Sequence, residues 1–203
     1  RGPISSLYGS DALGGVVALR TKTAKDYLGG ESTYVGLKTG YSSSDQSVQT
    51  AATLAAGTEL LSAMLNVSHR QGEEQETSGR NDGTGPTREE ADPQDTKTTS
   101  IVVKLNYQPT EKHRFEVGLD TYDNATDSRL LSDYGTLSRG TLVNSRDSED
   151  EKDRTRMSLA YNFSGVLPFS DEIQVLAYTQ DSETVQLTLE NRLPPGPTSV
   201  AQN

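Results

Sequence analysis

Polar and apolar residues alternate along most of this 203-residue chain. Seven stretches carry a period of two, the spacing at which successive side chains of a strand point to opposite faces. TYVGLKTGYS places Val35, Leu37, Thr39 and Tyr41 on one face, and SVQTAATLAA places Val48, Thr50, Ala52, Leu54 and Ala56 there. LLSAMLNVSHR contributes Leu61, Ala63, Leu65 and Val67, and SIVVKLNYQ contributes Ile101, Val103, Leu105 and Tyr107. HRFEVGLDTY, RTRMSLAYNFS and DEIQVLAYTQ follow, with Phe115, Val117, Leu119 and Thr121, then Met157, Leu159, Tyr161 and Phe163, then Ile173, Val175 and Ala177. The alanine-rich second stretch carries the weakest signal. Most opposite-face positions are polar or small: Lys104, Asn106, Glu116, Gly118, Ser158, Ala160 and Asn162. Each stretch has about 10 residues, the length a tilted strand needs to cross a bilayer.

The connections are SSDQ, GTE, residues 71–97, PTEK, residues 123–153 and GVLPFSDE. From the second onward, short and long alternate. A meander places successive connections at opposite ends of the sheet, so the long polar ones share one end and the short ones, SSDQ excepted, the other. A membrane barrel has this asymmetry. A soluble antiparallel sheet also alternates, but it explains neither the loop asymmetry nor the similar strand lengths. Tyr107, Phe115, Tyr161 and Phe163 lie on the apolar face near the short turns, as in an interfacial aromatic belt. Odd-numbered positions of the fourth to sixth stretches are therefore expected to face lipid.

Composition narrows the classes. The net charge of -10 argues against a nucleic-acid partner, which a basic footprint would mark. Only 32% of residues are hydrophobic, thin for a soluble core of this length, yet ordered alternation is not what a disordered chain shows. With no cysteine, disulfide and cysteine-zinc frameworks are excluded. No apolar run approaches the roughly 20 residues of a membrane helix.

The opening RGPISSLYGSDALGGVV resembles the end of the plug domain of TonB-dependent outer-membrane receptors. The matching positions are Arg1, Gly2, Pro3, Leu7, Tyr8, Gly9, Ala12, Leu13, Gly14, Gly15, Val16 and Val17. Glycines suit a chain that turns sharply inside a lumen, and Pro3 fixes one φ. GVVALRT reads as the last plug strand, with Val17, Leu19 and Thr21 on one face, and KTAKDYLGG as a linker. The resemblance implies an all-β fold: a partial antiparallel up-and-down transmembrane β-barrel, about 7 of 22 strands, preceded by the C-terminal end of a plug. The expected division is residues 1–28 for plug end and linker and 29–203 for the first part of the barrel. The plug residues Arg1, Gly2, Pro3, Leu7, Tyr8, Gly9, Gly14 and Gly15 are expected to act structurally, and the chain to be a piece of a longer receptor in the outer membrane of a Gram-negative bacterium.

The junction GGVVALRTKTAKDYL is similar to that of the haem and haemoglobin receptor branch, through Arg20, Thr21, Lys22, Asp26, Tyr27 and Leu28. This implies energised uptake of an iron source, haem or haemoglobin-derived haem, with a ferric siderophore or another nutrient as the alternative. The implied partners are TonB, through a segment outside this chain, outer-membrane lipid, and haem, a haem protein or a ferric siderophore. Haem would be cargo, with no resident cofactor in this stretch. A passive porin or adhesive β-domain is the competing class. His69 continues the apolar-face parity and His113 follows a short turn, so neither suits a haem ligand at the external mouth. No cysteine nucleophile, histidine-carboxylate spacing for a metal or phosphate loop marks an enzyme, so no catalytic or metal residues are assigned. SRDSEDEKDR lacks the spacing and glycine of a calcium loop and reads as a solvated loop.

Overall fold

The period of two decides the architecture. In the computed structural model, which describes residues 21–166 and 171–193, every alternating stretch forms a strand. The plug motif from Arg1 to Val17, with Leu19 and Arg20, lies outside the described residues. A single helical turn, α1 (Lys25–Leu28), precedes β1 (Thr33–Ser42), β2 (Ser47–Gly57), β3 (Leu61–Gly72), β4 (Gln94–Thr110) and β5 (His113–Arg129). A 3-10 turn (Leu131–Asp133) and a two-residue strand, β6 (Leu137–Ser138), lead to β7 (Thr141–Ser164) and β8 (Glu172–Leu193). The sheet is one antiparallel meander in the order β1-β2-β3-β4-β5-β7, with β8 and the short β6 both on β7.

The register aligns like faces across the whole sheet. Leu54, Leu65, Val103, Leu119 and Met157 form one cross-strand row, and Ala56, Ala63, Leu105, Val117 and Leu159 the next. These side chains do not make a core. Leu37 is 84% exposed, Leu105 46% and Leu159 53%, whereas Lys104 on the opposite face is 8% exposed and Asn106 4%. The small buried cluster of Ala24, Leu28, Ala55 and Met64, with Tyr27 and Val102 packed against it, lies on that polar face under residues 21–30. The sheet is thus inside out relative to a soluble protein: its apolar face is bare and its polar face is partly covered.

At the short-turn end the rings pack against one another along the apolar face, stacked or tilted. Tyr107 and Phe115 lie 6.2 Å apart between centroids, Phe115 and Tyr161 4.9 Å, and His113 and Phe163 5.2 Å. The belt expected from sequence forms, and His113 joins it.

Four expectations about extent are corrected. The strands are not of similar length: they grow from 10 residues in β1 to 24 in β7. Residues 123–153 are mainly strand, since β5 runs to Arg129 and β7 starts at Thr141, leaving 130–140 as the connection. The 71–97 loop shrinks to 73–93, and the last strand continues through residues 181–193. In β4, β5 and β7 the strand runs on where apolar residues stop alternating, because polar and charged residues take over and backbone pairing continues without a hydrophobic face; in β8 the alternation itself goes on, through Val185, Leu187 and Leu189.

The β2–β3 turn is closed by Gly57 at φ +153°, where an added Cβ would lie 2.4 Å from Ser62 Cα. Gly57→Ala in the full-length protein should cost about 1–3 kcal/mol and lower the yield of assembled protein. Gly40→Ala, at a glycine with open space around it, should not; heat-modifiability on gels reads both.

Candidate functional site

The polar face is where chemistry-bearing residues gather, and it is covered at both ends. At the short-turn end, the segment before β1 docks on it. Asp26 accepts hydrogen bonds from the Thr23 backbone N–H (2.7 Å) and hydroxyl (2.9 Å), which fixes entry into α1. Gly29 ends the helix in the left-handed region at φ 55°, a conformation glycine adopts without strain. Leu28 is thereby turned onto the sheet, Tyr27 packs on Tyr34 with centroids 5.2 Å apart, and Lys22 lies over the Tyr27 ring. Lys104 anchors the segment from below: its Nζ donates to the Thr21 carbonyl (3.0 Å) and to Glu116 (3.3 Å). Lys104 was read from sequence simply as a polar-face residue; that residues 21–28 bury it is a long-range fact with no local signal.

At the opposite end the long connections cap the same face. Asp92 accepts from the Ser132 backbone N–H (2.9 Å) and hydroxyl (2.5 Å) and pairs with Arg88. The Gly85 N–H donates to the Leu131 carbonyl at 2.8 Å. Arg146 on β7 bridges Asp133 of the cap and Glu190 of β8. The β1–β2 turn is tied down as Arg70 pairs with Asp45 at 2.5 Å. A polar hollow of about 480 Å³ beside it is lined by Asp45, Arg70, Glu73, Gln94, Thr96 and Thr98. It offers hydrogen-bond donors and acceptors and no apolar wall, so it suits a hydrated polar group.

Between the two covered ends the faces separate by charge. Even positions of β7 put Arg146, Lys152, Arg154 and Arg156 on the polar face, with Asp150. Odd positions put Asp147, Glu149, Glu151 and Asp153 on the other. Arg154 pairs with Asp120 at 2.9 Å and lies 5.7 Å over the Tyr122 ring, and Arg156 lies 4.6 Å over Tyr178. The solvated acidic loop expected from SRDSEDEKDR is this strand; reading the run as one composition hid its division between faces. His69 donates to or accepts from Thr99 Oγ1 (3.0 Å), and His113 does the same with the Tyr161 hydroxyl (2.9 Å). Both stand on the apolar-face parity, away from the polar face. Among the described residues no cluster of His, Asp and Glu is arranged to hold a metal ion.

No family model matches the chain. It is similar to curated proteins of Haemophilus influenzae. One, a probable hemoglobin and hemoglobin-haptoglobin-binding protein 4, is 34% identical over 199 residues, covering 94% of this chain and 20% of that protein. Hemoglobin-binding protein A is 33% identical, over 91% of this chain and 19% of its own length. Hemoglobin-haptoglobin-binding protein A is 35% identical, over 86% and 18%. The chain therefore spans about a fifth of the length of the curated relatives it matches.

Two measurements test the covered ends. Lys104→Met leaves Glu116 without its ammonium in a nearly dry site and should destabilise the docked segment by about 3 kcal/mol. In detergent-solubilised full-length protein, trypsin should then cut faster after Lys22 and Lys25, and adding Glu116→Gln should recover part of the loss. At the other end, hydrogen bonds from Ser42, Ser47 and Arg70 hold the Asp45 carboxylate at about 2, below its ordinary 3.8. A depressed carboxylate stabilises above its unfolded value and loses that contribution as pH falls through the folded one. Protection factors for residues 43–47, with the intrinsic pH dependence of exchange divided out, should stay constant down to about pH 4 and fall between about pH 4 and 2.

Proposed function

We propose that this chain is a section of an outer-membrane, TonB-dependent receptor that takes up haem from haemoglobin. The observation that carries the membrane reading is the inversion of the sheet, with bare leucines and valines in continuous rows on one face and buried Lys104 and Asn106 on the other. In water such a face is an aggregation hazard; against lipid tails it is the stable arrangement. The ring belt at one end and the charged rows beyond the apolar band at the other support two interfaces. The haemoglobin ligand is supported by the names of the similar proteins and by the junction residues. Asp26, Tyr27 and Leu28, on which the resemblance rested, are the residues that dock the linker.

In this reading the polar face lines the lumen. Residues 1–28 end a plug that blocks it, and α1 is where the plug chain joins the wall. The capped connections 73–93 and 130–140 stand outside the cell and meet the ligand. Force delivered through TonB rearranges the plug and opens a path along the polar face. No covalent chemistry is involved.

Three outcomes are expected in the full-length protein. Leu105→Arg should impair assembly, at about 2–4 kcal/mol for a cation facing lipid, and Ser100→Arg on the polar face should not. A cysteine from Asp82→Cys should react with an impermeant maleimide on intact cells, and one from Glu59→Cys only after lysis. Growth on haemoglobin as sole iron source should require both this protein and TonB. Growth on a ferric siderophore alone would discard haem, and TonB-independent uptake would discard the receptor in favour of a porin.

A further inference from the structure

Residues on β7 that neither the similarity nor the covered ends explain are Lys152, Arg154 and Arg156. They occupy successive same-face positions, about 7 Å apart along the strand. They rise one to three rows above the row of Lys104, Gly118 and Ser158, where the linker docks. Among the described residues α1 lies against β1 and β2, and the caps bind β7 near Arg146, so no described segment covers this stretch of the face.

The sheet itself gives no reason for the placement. On the opposite face Asp123, Asp153 and Glu183 stand directly across from one another, as do Asp127 and Glu149. Like charges directly opposite on a sheet are destabilising. Had the basic residues of β7 been placed there, they would have relieved this. They instead share the polar face, where one of the three, Arg154, has a carboxylate partner, Asp120; Lys152 and Arg156 have none among the described residues. Arg154 and Arg156 are stacked on Tyr122 and Tyr178. Such stacking holds a guanidinium in place; Arg156 keeps its N–H edge for a ligand among the described residues, and Arg154 keeps the N–H groups that Asp120 does not take. Cations held ready in this way take up carboxylates by charge-assisted, bidentate hydrogen bonds.

We propose that Lys152, Arg154 and Arg156 form a carboxylate-binding strip that receives the two propionates of haem on its way along the polar face, an assignment that rests on the haem reading above. The tyrosine rings beside the strip give the porphyrin plane an apolar surface at the same level, and the strip selects the dianionic ligand over a neutral analogue.

Haem and haem dimethyl ester, whose carboxylates are blocked, are titrated by absorbance against detergent-solubilised full-length protein. The wild type should bind haem more tightly than the ester, with the preference shrinking as salt rises. Lys152→Gln, Arg154→Gln and Arg156→Gln should each weaken haem roughly tenfold and leave the ester unchanged. Lys97→Gln, on the opposite face, should change neither, and Arg156→Lys should keep most of the affinity. The single variants decide the matter should the triple variant fail to assemble. Equal haem affinity in wild type and single variants overturns the strip and leaves the haem reading standing. Failure of the wild type to bind haem at all removes both.

Discussion

The sheet has two faces, and the described residues cover only one of them. Everything else follows from that asymmetry. Apolar rows running through Leu65, Val103 and Leu119 need a surrounding that does not hydrogen-bond, and backbone groups in such a surrounding must be paired within the sheet. Continuous antiparallel ladders from β1 to β8 meet that need. The same asymmetry sends the charged and amide side chains to the other face. There Lys104 tolerates burial because Glu116 and the Thr21 carbonyl satisfy it.

The strands were legible from sequence wherever apolar residues alternated with polar ones, and the aromatic belt with them. Tyr107, Phe115 and Tyr161 fall on one parity, and strand geometry does the rest. Legibility failed where the alternating property changed. Along residues 146–156 every position is polar, so a hydrophobicity pattern is flat; the period of two survives in the sign of the charge. Reading charge sign by parity would have extended β7 inward from Met157. The caps were illegible for another reason. Asp92 and Ser132, or Gly85 and Leu131, are bound to each other by the meander's geometry, and no local pattern announces such a pair.

The linker shows how few residues suffice to fix a segment to a wall. Thr23 and Asp26 set the direction, Gly29 ends the turn, and Leu28 fills the space beside Ala55 and Met64. The contact is small and mostly made of short side chains, so it holds the segment in register without a large hydrophobic commitment. It is also the one described place where the face is both dry and apolar.

In register, the last residue of β1, Ser42, lies in the row of Asp150, and β7 begins nine residues earlier at Thr141, so the rim at the long-connection end climbs. At about 3.3 Å per residue those nine residues raise the rim by roughly 30 Å along the strand direction. The edge is a ramp, low beside β1 and high beside β7 and β8. On the raised part of β7, Arg146 stands on the polar face, and Asp147 and Glu149 on the other. The two faces of that rim therefore differ in the sign of their charge as well as in height.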